Sequence, residues 1–232
     1  METSNVLQFI DQRIMQLKRK GAVGVEQYEE KLKNNVKNVE ILHDLLFEGR
    51  AALLFLNNGF KVTLRDSPDL KIELDNEVVY AEVKHFREKE QDRIDEKAMS
   101  ETRGLLVPIG DTTATEGSAA CEQIVEVAIR KADKYMMNAP NILIIESSSD
   151  STSLTLSSAA HEYNDRARKT NDPRLRRLNA LMLVNACSTE FERSGPWNIE
   201  FCILDHFDTP ISKKLIFALF DIRYQDPRTG AF

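Results

Sequence analysis

The sequence predicts an α/β fold with a mixed central sheet flanked by helices and a helical extension at its N-terminus. Three observations carry this. Helical spacing dominates up to Asn58, period-two alternation replaces it from Phe60 to Phe86, and an amphipathic helix followed by a short apolar strand comes next. The order helix, three strands, helix, strand describes one α/β core with additions at both ends. Residues 1–35 are assigned to the helical extension and 36–232 to the core domain with its C-terminal addition.

Each element has its own signal. Leu7, Ile10, Ile14 and Leu17 recur at helical spacing over Asn5–Lys20, and Gly21 and Gly24 break the pattern. A second helix starts near Glu26, and a long one covers Val36–Asn58, where Asn57-Asn58-Gly59 forms a C-cap signal. Phe60, Val62 and Leu64 alternate with polar residues, as do Leu70, Ile72 and Leu74, which marks two half-buried strands. Asp75-Asn76 suits a two-residue hairpin turn because both residue types tolerate positive φ. Val78–Phe86 is apolar on both faces near its middle and is expected to be a central strand. Arg87–Asp95 is a charge run and Gly104–Gly117 reads as a loop, the two together a possible substrate lid. Ser118–Met137 is an amphipathic helix, Asn141–Glu146 a short buried strand, Thr152–Lys169 a polar helix, and Ala180–Ala186 and Ile199–Leu204 two further strands.

At 232 residues the chain is long enough to bury a core without staples. Cys121, Cys187 and Cys202 are an odd number without a close pair, which argues against a disulfide scaffold or zinc ribbon and for a reduced, cytoplasmic setting. No apolar run approaches bilayer length, and the N-terminal segment lacks the pattern of a signal peptide, so no membrane partner is expected. A net charge of −6 excludes binding of nucleic acid by bulk positive charge but leaves room for a local basic surface.

The chemistry lies around Pro68-Asp69 and Ala81-Glu82-Val83-Lys84. If Asp75-Asn76 are the turn, Leu74 pairs with Glu77, and counting outward sets Asp69 opposite Glu82 on one face of the sheet. Lys84, two residues beyond Glu82, points to the same face. Two opposed carboxylates repel unless a cation joins them, so this is the geometry of a metal site. Hard oxygen donors in this number suit Mg²⁺, with Mn²⁺ as a substitute. A longer or bulged turn would shift the register and leave an unrelated α/β interaction protein, and the acids with Lys84 also read as an ordinary cross-strand salt pairing.

Pro68-Asp69, a gap of twelve residues and Glu82-x-Lys84 resemble the PD-(D/E)XK nuclease superfamily, the restriction-endonuclease-like fold. That superfamily often carries a glutamate on its first core helix, followed by Ala, an apolar residue and Gly-aromatic; Glu48, Ala51, Phe55 and Gly59-Phe60 match. The resemblance covers about Val36–Glu146. It implies Asp69 and Glu82 as metal ligands, Lys84 as the catalytic lysine, a metal contact from the Val83 carbonyl, and Glu48 as an outer ligand. Gln123 matches an accessory polar residue of the second core helix, although Val127 stands where the tyrosine of the RecB-like branch belongs. The implied activity is metal-dependent hydrolysis of phosphodiester bonds in nucleic acid by an endonuclease, with DNA as the expected substrate. Many nucleases of this kind work as homodimers. A catalytically inactive nucleic-acid-binding or assembly module on the same fold is the alternative.

The remaining features have competing readings. Arg166, Arg168, Lys169, Arg174, Arg176 and Arg177 form the best phosphate-contacting surface on an acidic chain, or else a solvated helix end paired with carboxylates. Glu40, Asp44 and Glu48 step by four, which also describes a solvated acidic face. His85 points away from Lys84 and is expected in the core or at an interface. Cys121, near a helix start, is expected to be a buried structural thiol, and Ser147-Ser148-Ser149 a polar strand end.

Overall fold

A computed structural model describes residues 3–86, 112–147, 156–185 and 198–223. The charge run Arg87–Asp95, most of the Gly104–Gly117 stretch, Ser148, Ser149 and Cys187 lie outside the described residues.

The elements in chain order are α1 (Thr3–Arg19), α2 (Val25–Asn34), α3 (Val39–Asn57), β1 (Lys61–Leu64), β2 (Leu70–Leu74), β3 (Glu77–His85), α4 (Thr112–Arg130), β4 (Asn141–Ser147), α5 (Leu156–Thr170), β5 (Leu178–Asn185), β6 (Asn198–Ile203) and α6 (Lys213–Phe220). Short 3₁₀ turns at Ala132–Lys134 and Leu175–Arg177 follow α4 and α5. The strands form one sheet in the order β1-β2-β3-β4-β5-β6. Pairing is antiparallel from β1 to β3, parallel from β3 through β5, and antiparallel again at β6, so the sheet is mixed.

The hairpin follows from its turn. Asp75 and Asn76 have φ of 47° and 70°, the paired positive values of a two-residue turn whose twist matches that of the strands. Leu74 accordingly pairs with Glu77, and the ladder runs out to Leu70 opposite Ala81. At the start of α3, the Asn38 side chain accepts the Ile41 N–H at 3.3 Å.

Two hydrophobic clusters cover the two faces of the sheet. One joins α1, α2, α3 and α6 to Ile72, Ala81, Val83, Ile142, Ile144 and Met182. The other joins α4 and α5 to Leu143, Ile145, Leu181 and Leu183. The N-terminal helices therefore pack into the same core as α3, through Ile10, Leu17, Tyr28 and Leu32. Val23 also bridges Thr63 on the edge strand β1, and Gly24, at φ 79°, lets the chain pass against the Leu64 carbonyl where a Cβ would collide. Gly49 serves α3 in the same way, because a Cβ there would strike the Tyr28 hydroxyl.

Several boundaries and one helix differ from the sequence reading. The helix expected over Ser118–Met137 spans Thr112–Arg130, so residues 112–117 are helical rather than loop, and the chain tightens into a 3₁₀ turn just past Arg130. The polar helix is described over Leu156–Thr170, and the expected start at Thr152 lies outside the described residues. Helix α6 was not anticipated; its Lys-Lys-Leu-Ile-Phe-Ala-Leu-Phe sequence is apolar almost all round and too short to show a period, although Ser212 caps it by accepting the Leu215 N–H at 3.1 Å.

Candidate functional site

The β2 ladder ends at Leu70, so the next inward-pointing amide of β3, that of Val83, has no backbone partner on that side. Asp69 supplies one: its Oδ2 accepts the Val83 N–H at 2.8 Å. Asp69 is buried and stands one step beyond the last ladder pair, Leu70 with Ala81, within electrostatic reach of Glu82. Within a strand the N–H and C=O of one residue share an edge, so the Val83 carbonyl also faces this fork.

Glu82 is completely buried. In the parallel ladder it sits beside Leu143, whose side chain lies on the α4 and α5 face. That orientation brings it to the end of α4, where Lys131 Nζ donates to its Oε2 at 2.6 Å and Lys134 Nζ stands 3.4 Å from the same oxygen. Its other oxygen, Oε1, is buried without a hydrogen-bond partner. Glu48 comes from α3 on the opposite face and lies within electrostatic reach of Asp69, Glu82, Lys31 and Lys131.

These surroundings shift the acids in one direction. Burial, then the neighbouring Asp69 charge, pushes the Glu48 carboxyl up to about 8. Burial, then Glu82, pushes Asp69 up to about 6. Burial works against the Lys131 ammonium, but Glu82 and Asp69 outweigh it and hold the group charged.

Lys84 does not join the acids as expected. It shares their face by parity, yet its Nζ pairs with Asp44 of α3 at 2.7 Å, past the edge of β3 that β2 leaves open. Sequence reasoning therefore placed one lysine correctly on the strand and missed the lysine that contacts Glu82. The acidic stripe of α3 also has a different role: Asp44 and Glu48 both face the site. Gln123 is half-buried on α4, two turns before Lys131.

Two carboxyls raised by burial and by neighbouring acids, Glu48 and Asp69, and one orphaned buried oxygen of Glu82 are oxygen donors of the kind a hard divalent cation takes. As the side chains stand, no three His, Cys, Asp or Glu among the described residues are close enough to hold a metal ion between them. The charges facing Glu82 are the Lys131 ammonium and, at longer range, that of Lys134.

A second buried polar cluster lies on the α3 face at the C-terminal ends of β3 and β4. His85 and Glu146 are neighbours in the parallel ladder, and Glu146 Oε2 contacts both Arg50 and the His85 ring nitrogen Nδ1, the latter at 2.8 Å. Burial raises the Glu146 carboxyl, and Arg50 and His85 outweigh it, so its pKa lies below the ordinary value. His85 is thus on the face opposite Glu82, as parity requires, in an ion-pair cluster rather than an apolar core.

The basic segment is largely neutralised. Arg166 pairs with Glu122, Glu126 and Glu162, Arg168 with Asp165 and Asp205, Arg174 with Asp133 and Asp172, and Arg176 with Asp208. Arg177 Nη1 donates to the Tyr135 carbonyl at 3.5 Å, and Lys169 is exposed near the end of α5. A groove of about 700 Å³ between α4 and α5 is lined by Cys121, Glu122, Ser157, Ser158, His161 and Glu162, and by none of Glu48, Asp69 and Glu82. Burial, then Glu162 and Glu122, raises the Cys121 thiol, which sits within α4 rather than at its start.

No helix among the described residues is long and apolar enough to cross a membrane. Compared with known proteins, the chain matches no family model, no curated protein and no solved structure.

Proposed function

We propose that this chain is a metal-dependent nuclease that hydrolyses phosphodiester bonds of nucleic acid, DNA in the first instance, at the fork between β2 and β3. One observation carries the reading: Asp69 closes the end of the β2 ladder directly beside the buried Glu82. A hairpin whose only task were structural would have no use for two opposed buried acids with a third carboxylate behind them.

In this reading Asp69, Glu82 and the Val83 carbonyl hold Mg²⁺ or Mn²⁺, and Glu48 supports it from α3. The ion, when bound, supplies polarisation of the phosphoryl group and an ionised water. Asp69 keeps the β3 edge in place through the Val83 amide, which fixes its own carboxylate relative to the Val83 carbonyl that would hold the ion with it. Lys84 stands at the same edge and serves the developing phosphate charge after leaving Asp44. The segment Arg166–Arg177 contributes little to substrate binding, because most of its guanidinium groups already face carboxylates.

A second reading has an observation of its own. The cationic position at Glu82 is taken by Lys131, which suits a module that keeps the fold for nucleic-acid binding or assembly without cleavage. Incubation of wild type and Asp69→Asn with plasmid, single-stranded DNA and RNA in Mg²⁺ or Mn²⁺ separates the two. The nuclease reading expects cleavage by wild type and a loss of about 10²-fold or more in the variant. Binding without cleavage in every condition supports the inactive module.

A further inference from the structure

Lys131 is set in place by its backbone. Its N–H closes the last turn of α4 on the Val127 carbonyl at 3.0 Å, and its own carbonyl accepts the Lys134 N–H at 2.8 Å at the start of the 3₁₀ turn. The side chain is 17% exposed and ends 2.6 Å from Glu82 Oε2, while Glu82 Oε1 has no partner. The ammonium therefore neutralises the buried Glu82, with the buried Asp69 also in its electrostatic reach, and it neighbours neither in sequence.

We propose that Lys131 is a built-in counter-cation that a divalent ion must displace, and that its released ammonium then becomes available to phosphate oxygens of the substrate. The inference rests on the metal-dependent reading above. The physical reason is competition for one carboxylate. A divalent ion on the open Glu82 Oε1 would stand beside an ammonium hydrogen-bonded to Oε2 in a buried setting, where two positive charges repel strongly. Metal binding and the Lys131–Glu82 ion pair are then coupled with opposite sign: each weakens the other.

The test uses the whole chain with Mn²⁺ as the probe. Titration calorimetry on wild type, Lys131→Met and Asp69→Asn is expected to show binding by wild type, loss of binding in Asp69→Asn, and binding at least about fivefold tighter in Lys131→Met, the low end of typical coupling between sites. Equal or weaker Mn²⁺ binding by Lys131→Met overturns the displacement while leaving the metal site standing. No binding by either wild type or Lys131→Met overturns both. A second readout needs no variant: acetylation of wild-type Lys131 by acetic anhydride, followed by peptide mass spectrometry, is expected to accelerate when Mn²⁺ is added, with exposed Lys18 as the reference. Mn²⁺ binding that leaves the Lys131 rate unchanged contradicts the proposal.

Discussion

Asp69 Oδ2 and the Val83 amide meet at 2.8 Å, so a side chain occupies the place where the β2 backbone would have continued the ladder. This one contact couples the stability of the hairpin to the position of a candidate metal ligand. Asp69→Ala orphans a buried N–H and is expected to cost about 1–3 kcal/mol. Asp69→Asn keeps an acceptor and removes the charge, so its loss is expected to be smaller. Urea unfolding of both variants, with m-values matching wild type, measures the difference.

The carboxyl cluster makes stability depend on pH. Glu48 rises from its usual 4.5 to about 8 and Asp69 from 3.8 to about 6, so the folded chain retains protons that the unfolded chain has already released. With more protons bound in the folded state, stability falls as pH rises through the carboxyl range, and the fall is complete only above the raised values. Glu48→Gln removes the larger of these effects. Thermal melts are expected to show the variant gaining on wild type steadily from pH 5 to above pH 8, and a difference that does not change with pH contradicts the assignment.

Arg50 and His85 share one oxygen of a carboxylate that is 1% exposed. Arg50→Met leaves the Glu146 charge without its main partner and is expected to cost about 3–5 kcal/mol. Adding Glu146→Leu to that variant removes the stranded charge and should recover most of the loss. Guanidinium denaturation of the two single variants and the double variant gives the coupling between them.

The parts of the site that could be read in the sequence are those governed by local rules. Asp75-Asn76 dictates a two-residue turn, and counting from it gave the ladder from Leu74 with Glu77 out to Leu70 with Ala81 without tertiary information. Glu48 was identifiable only by its distance from Gly59-Phe60, because Glu40, Asp44 and Glu48 are equivalent by period alone. Lys131 was not legible. The amphipathic pattern runs on to Met137 and buries it within a helix, whereas the helix stops at Arg130 and delivers Lys131 and Lys134 to a glutamate 49 residues earlier. Arg50 and Glu146 are separated by 96 residues, and neither belongs to a periodic signal that names the other. The arginines of α5 looked like a phosphate surface because their carboxylate partners, such as Glu122, Asp133 and Asp205, come from distant elements. The α/β core was foreseen from the texture of strands and helices, whereas the mixed sheet was expected only through the resemblance to the restriction-endonuclease-like fold.

The central claim is that the fork between β2 and β3 binds a divalent cation through Asp69 and Glu82. Titration of Mn²⁺ into wild type and Glu82→Gln at pH 8 in the presence of a short DNA duplex tests it most directly. The account expects saturable binding near one ion per chain in wild type, abolished in Glu82→Gln. Equal binding by both proteins, or none by wild type even with DNA present, contradicts it.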